Sequence, residues 1–320
     1  MRSAMLVEPG RFEVREREVP QPGEGEVLVR VQGCGLCASN LGPWSGIRGI
    51  GYPLDPGAPG HEVYGTVAAV GGGVEGLSEG DAVTALSYNG FAEFDLARAD
   101  AVVKVPAAIA GKPILGEPVA CAVNIDRRAG VREGDTVVVL GIGFLGALLL
   151  RLVRGHGAAR VVAVSRRVEG LEMARRMGAD EVLTYADDVV GRVDELTGGK
   201  MADVVIEATG KQAPLDLASD LTRVRGRLVI AGYHQDGLRQ VNLQLWNWNG
   251  IDVINAHERD PALYTLGMKE GVRMIADGQL DLDPLISHTF PLGEINRAFE
   301  MASERPSGFF KVIVAPGEAS

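Results

Sequence analysis

Gly141, Gly143 and Gly146 stand as G-x-G-x-x-G in the segment GIGFLG, with Phe144 and Leu145 between the last two, directly after the apolar run Thr136–Leu140. Behind a strand and opening a helix, this spacing suits a dinucleotide. The first glycine allows a tight turn, the second lets the backbone approach a pyrophosphate, and the third lets helix pack on strand. The helix start then offers free N–H groups and a partial positive charge to the diphosphate. With 43 glycines in the chain a chance match comes easily, so the strand–helix context carries the assignment. The bland reading is a packing turn without a ligand.

The end of the next strand selects the cofactor. A carboxylate there would accept hydrogen bonds from ribose hydroxyls and repel a 2′-phosphate. VVAV runs instead into Ser165, Arg166 and Arg167, and two guanidinium groups suit a 2′-phosphate. NADP(H) is the expected cofactor, with NAD the alternative if the arginines are only a solvated turn. Thr209, in the strand-end segment Glu207-Ala208-Thr209-Gly210, is expected close to the cofactor; a simple turn is its bland reading.

A second set precedes the fingerprint. Cys37, His61, Glu62 and Glu117 supply the S, N and O donors of a catalytic zinc that keeps one position open. Taken singly, Cys37 reads as a buried thiol, His61-Glu62 as a turn pair, and Glu117 as an acid at a helix start. His234 and His257 read first as structural histidines. Trp44, Trp246 and Trp248 suit a pocket wall, a core or a subunit interface equally.

These residues need a scaffold, and the pattern supplies two kinds. Before residue 110, Glu26–Val31, Val63–Val70, Ala82–Leu86 and Phe91–Leu96 predict short strands between Gly and Pro turns, with no long helical period. From about residue 115 strands alternate with helices of about ten residues. The strands are Thr136–Leu140, Arg160–Val164, Val182–Tyr185, Asp203–Glu207, Arg227–Ala231 and Ile251–Asn255. The alternation predicts a parallel sheet covered on both faces. Helices are expected over Ala262–Ala276 and Leu292–Ala302, and Phe309–Val314 is expected to rejoin the β-rich region as a strand.

Composition excludes other classes. Net charge is −10, which disfavours nucleic acid and anionic membrane as partners. The apolar stretch Val137–Val153 is too short to span a bilayer, and Met1–Gly10 lacks a signal-like apolar core. Three cysteines fit a reducing compartment, so a cytoplasmic address is expected.

The segments CGLCASN (34–40), PGHEVYGTVAAVG (59–71), GEPVACA (116–122) and GIGFLG together resemble the medium-chain, zinc-dependent alcohol dehydrogenase superfamily, over nearly the whole chain. The resemblance implies an α/β fold: a GroES-like β-rich catalytic domain (1–118, returning at 258–320) split around a doubly wound Rossmann domain (119–257). It implies zinc on Cys37 and His61, with Glu62 a direct or exchanging ligand. Glu117, in the EP motif of polyol-dehydrogenase-like members, would bind the metal directly or through its water. Ser39 matches the hydroxyl that relays the substrate proton. The expected enzyme moves a hydride between a nicotinamide and a secondary alcohol or ketone, a polyol or sugar by the EP motif, in a cleft between domains. A homodimer or homotetramer is implied, the strand Ile251–Asn255 pairing across a two-fold axis.

Three departures from the pattern follow. The lobe of four cysteines for a structural zinc is replaced by Ser87-Tyr88-Asn89-Gly90, so one catalytic ion is expected. Asn40 stands where the family has Asp, its amide oxygen expected to accept the N–H of the histidine ligand. LGPW follows it in place of a further histidine. Competing readings are a zinc-free quinone or enoyl reductase, against which the ligand set argues, and a non-catalytic NADP-binding protein. A dehydrogenase of a larger alcohol, such as a bacteriochlorophyllide side chain, is a third.

Overall fold

The computed structural model describes residues 1–317, and the chain divides into two compact units. One comprises Met1–Ala120 with the chain from Asp260 onward; the other is Cys121–Arg259.

The first unit opens on an antiparallel hairpin, β1 (Arg2–Glu8) with β2 (Arg11–Glu16). Then come β3 (Glu26–Leu36), the one-turn helix α1 (Leu41–Trp44), β4 (Glu62–Val70), β5 (Ala82–Leu86), β6 (Phe94–Arg98) and β7 (Val102–Lys104). β3 runs five residues beyond the expected Val31. Register shifts at Leu28/Val29 and Val31/Gly33 absorb its mismatch with β4, and its extension sets Gly35 opposite Glu62. β6 begins at Phe94 rather than Phe91, because Phe91 is a core side chain and Ala92 makes only an isolated bridge to Ser3. α2 (Gly116–Ala129), which the sequence reading did not delimit, carries Glu117 and Pro118 in its first turn. Proline is tolerated there because that N–H has no helical partner anyway.

The second unit is a six-stranded parallel sheet in the order β10-β9-β8-β11-β12-β13. Its strands are β8 (Thr136–Leu140), β9 (Arg160–Val164), β10 (Glu181–Leu183), β11 (Ala202–Glu207), β12 (Thr222–Ile230) and β13 (Asp252–Asn255). The helices are α3 (Phe144–Gly155), α4 (Val168–Arg176), α5 (Val189–Thr197), α6 (Gln212–Leu221) and α7 (Leu243–Asn249). Val137 to Leu140 and Val161 to Val164 are all fully buried, as strands covered on both faces require. Each such Val or Leu contributes about 1.5–3 kcal/mol relative to exposure. Local chemistry sets the ends. The Asp188 carboxylate accepts from Gly191 N at the start of α5, and Gly198 closes that helix at φ 61°.

The chain returns to the first unit as α8 (Pro261–Ala276), β14 (Ile286–Pro291), α9 (Ile295–Glu304) and β15 (Lys311–Ala315). β15 pairs antiparallel with β3, completing a sheet ordered β14-β15-β3-β4-β5-β7, with β6 also on β3. Phe12, Phe91 and Phe299 anchor this unit's core, with ring centroids 4.7–6.4 Å apart. No helix among the described residues is long and apolar enough to cross a membrane.

Candidate active site

Cys37 follows the last residue of β3 and caps the 3-10 turn Ala38–Asn40, which also carries the half-buried Ser39. Glu62 begins β4 with His61 directly before it, so the pairing of β4 with β3 brings both toward Cys37. Among the described residues, Cys37, His61 and Glu62 are the one group of three ligand-type side chains whose donor atoms lie within 4.8 Å of one another. Glu117 lies outside that group. It is buried, and its carboxylate accepts a hydrogen bond from the Tyr264 hydroxyl of α8. Burial chiefly raises the Glu117 pKa, against the pull of His61.

His61 shows the charge balance of this pocket. Burial opposes its charged form, but the Cys37 sulfur and the carboxylates of Glu117 and Glu62 outweigh that and push it up to about 10. A pocket that draws a proton this strongly is short of positive charge. Thiol, imidazole and carboxylate in close reach are the donors of a catalytic zinc, and they fit one.

Asn40 departs from expectation. Its amide oxygen accepts from the Cys37 backbone N–H at 2.8 Å, so its Nδ2 points the other way, to Pro59 O at 2.8 Å. His61 Nδ1 lies 3.0 Å from the same carbonyl. Asn40 Nδ2 lies 3.2 Å from that nitrogen as well; with the ring proton on Nδ1 and given to Pro59 O, Nε2 is left as donor to a metal. The orienting acceptor of this histidine is thus a backbone carbonyl, and the amide braces Cys37 and the Pro59 turn.

Glu62 has a partner that sequence reasoning missed. Lys311 Nζ lies 2.8 Å from both carboxylate oxygens, with Glu62 fully buried and the lysine side chain 6% exposed. Burial works against the lysine's charge, but Glu62, Cys37 and Glu117 raise its pKa overall. Space for Glu62 exists because residue 35 is glycine: a Cβ there would overlap Glu62 Oε2. The available signal was a lysine inside the apolar run FFKVIV, since a buried charge needs a partner. Cys34 faces the core instead, where burial raises its thiol well above the ordinary value. Among the described residues it joins no group of metal-ligand type.

In the second unit, Gly143 caps α3, and Phe144 is buried at its first position with Leu145 half-buried behind it. Gly141 has φ +94°, and a Cβ on it would overlap the Thr209 methyl; a Cβ on Gly146 would overlap Gly141 O. Thr209 is therefore brought against the fingerprint. Ser165 is buried, its hydroxyl accepting from Arg167 N at 3.2 Å. The Arg167 guanidinium turns back toward Ile142 O at 3.4 Å, while Arg166 is exposed. The two arginines are not equivalent.

None of the other candidates joins the Cys37–His61–Glu62 cluster. Trp44 packs on Phe299 with centroids 6.0 Å apart, Trp246 donates to Ser219 Oγ at 2.9 Å, and Trp248 is 86% exposed. The backbone carbonyl of His257 accepts from Arg128 at 3.2 Å. A cavity of about 320 Å³ lined by Thr136, Arg160 and Asp203 lies at the amino ends of the second unit's strands. It holds none of these residues, and in open α/β sheets ligands bind at the carboxyl ends.

Comparison with known proteins places the chain in a family. Residues 23–107 match the family described as "Alcohol dehydrogenase GroES-like domain", and residues 145–265 the family "Zinc-binding dehydrogenase". A sorbitol dehydrogenase of Halalkalibacterium halodurans is 25% identical over 96% of this chain and 96% of its own. A 2-dehydro-3-deoxy-L-galactonate 5-dehydrogenase of Pseudoalteromonas atlantica is 27% identical over 99% of this chain and 100% of its own. The solved alcohol dehydrogenase of Thermus sp. ATN1 superposes with a TM-score of 0.84 at 25% identity, covering 98% of this chain and 99% of that one. With both family matches in sequence order, a parallel dinucleotide-binding sheet and a Cys/His/Glu cluster at the head of β4, the chain belongs to the medium-chain, zinc-dependent alcohol dehydrogenase superfamily.

Proposed function

We propose that this NAD(P)-dependent alcohol dehydrogenase oxidises or forms a secondary carbinol on a polyol or sugar-like substrate, using one zinc ion and preferring NADP(H). The clustering of Cys37, His61 and Glu62 within 4.8 Å carries this reading. Cys37 Sγ and His61 Nε2 would hold the metal. Glu62 would be the third protein donor, since its carboxylate lies in the cluster and that of Glu117 does not. When bound, zinc supplies Lewis acidity at the substrate oxygen and the nicotinamide exchanges the hydride.

The chain's own groups do the rest. Lys311 holds the Glu62 carboxylate in place. Tyr264 holds Glu117, whose buried carboxyl gives the pocket a polar wall that suits a hydroxyl-rich substrate. Ser39, on the Cys37 turn, takes the substrate proton at its Oγ. The sugar and polyol substrates in the names of the sorbitol and galactonate relatives support this class.

NADP preference rests on Arg166, the exposed arginine after β9, with no carboxylate at the strand end. The test is a kinetic screen of polyols and secondary alcohols with NADP and NAD in parallel, on the wild type and on Arg166→Ala. Losing one charge-assisted contact to phosphate costs about 1.5–3 kcal/mol. KM for NADP should therefore rise at least tenfold in the variant while KM for NAD stays within twofold. A wild type that uses NAD better would contradict the preference. A protein turning over no alcohol with either dinucleotide would contradict the reading as a whole.

A further inference from the structure

Glu207 ends β11 with its side chain fully buried and its carboxylate crowded by donors. Oε1 accepts from Thr209 N at 2.6 Å, from Gly210 N at 3.0 Å and from the Thr209 hydroxyl. Oε2 faces His234 Nε2 at 3.0 Å. On the far side of that ring, Arg239 Nε donates to His234 Nδ1 at 2.8 Å. A guanidinium has no acceptor, so Nδ1 must be bare and the imidazole proton sits on Nε2, donated to Glu207. The same guanidinium reaches Gly210 O at 2.7 Å and pairs with Asp236, which also pairs with Lys211.

This chain of bonds ties together the loops after β11 and β12. They meet backbone to backbone, without room for a side chain: a Cβ on Gly210 would overlap Tyr233 O, and one on Gly232 would overlap Gly210 N. The Thr209 methyl in turn fills the space beside Gly141, the first glycine of the fingerprint. Both loops follow the carboxyl ends of parallel strands, where such sheets bind their ligands.

We propose that Glu207, His234 and Arg239 are positioning residues that lock these two loops against the fingerprint and so set dinucleotide affinity, with His234 acting as a neutral donor–acceptor spacer. The proposal rests on the reading of GIGFLG as a dinucleotide site.

The test is calorimetric titration of the full chain with NADP⁺ and NAD⁺, alongside steady-state kinetics, zinc content and thermal unfolding. In His234→Gln the amide can donate to Glu207 and accept from Arg239 as the neutral imidazole does. It should bind within about threefold of wild type. His234→Leu can do neither, and should bind about tenfold more weakly, equivalent to roughly 1.4 kcal/mol. Its dinucleotide KM should rise in step while kcat and zinc content hold.

Leu binding as well as wild type would overturn the clamp. So would Gln failing as badly as Leu, since that would mark a packing effect. Should the Leu variant not fold, Arg239→Met tests the same link, with weakened dinucleotide binding supporting it and unchanged binding overturning it. A wild type that binds neither dinucleotide would instead overturn the functional reading, and the clamp with it.

Discussion

At the scale of single residues, the candidate centre is a small set of opposed charges, and Lys311 makes it tenable. Glu62 is fully buried, so its carboxylate depends on that ammonium group. Removing one partner of a buried pair costs about 3–5 kcal/mol, because the other is left uncompensated. Lys311→Met should therefore lower unfolding free energy by about that amount in urea titrations. Adding Glu62→Gln should recover most of the loss, since it removes the stranded charge. A single variant as stable as wild type would show that the ion pair is not what steadies Glu62. The clustered side chains were legible in the sequence as candidates, since Cys37, His61 and Glu62 are residue types a zinc takes, whereas Glu117, expected with them, lies outside the cluster. Their positioners were not. Lys311 and Tyr264 lie 249 and 147 residues from the groups they hold, and no local pattern reports such pairing. Asn40 was read with its amide turned the wrong way, because only the fold reveals that the Cys37 N–H claims its oxygen.

At the scale of elements, legibility followed burial. Strands β8 and β9 were readable to the residue, because parallel strands covered on both faces must be continuous apolar runs. The β1–β2 hairpin went unread: β2 has one buried residue, Phe12, among charged neighbours, so little alternation survives. For α2 the sequence offers a helix start at Glu117 but no clear end. The fingerprint turn shows how finely an element can depend on one atom. Gly146 sits in the first turn of α3, where a Cβ would overlap the Gly141 carbonyl, which is backbone and cannot rotate away. Gly146→Ala should push helix from strand and weaken dinucleotide binding at least tenfold, an effect of about 1.4 kcal/mol. Calorimetry with NADP⁺ checks this; unchanged affinity would remove Gly146 from the site.

At the scale of the molecule, the chain assigns different work to two compact units. The Cys37–His61–Glu62 cluster, Glu117, Tyr264 and Lys311 belong to the first; the fingerprint, Arg166 and the Glu207 clamp belong to the second. The first unit is assembled from distant sequence, with β15 pairing on β3 and thereby delivering Lys311 to Glu62. The short segment Ser87–Gly90 is held by Asp95, whose carboxylate accepts from Asn89 N at 3.2 Å. Burial pushes that carboxyl up to about 6. With a single donor cluster among the described residues, one metal ion per chain is the expected stoichiometry. Metal analysis of the purified protein, with Cys37→Ala beside it and alcohol oxidation followed before and after chelation, is the decisive measurement. One zinc per chain is expected, with none in the folded Cys37→Ala protein and activity lost with the metal. A metal-free wild type that still oxidises alcohols would contradict it.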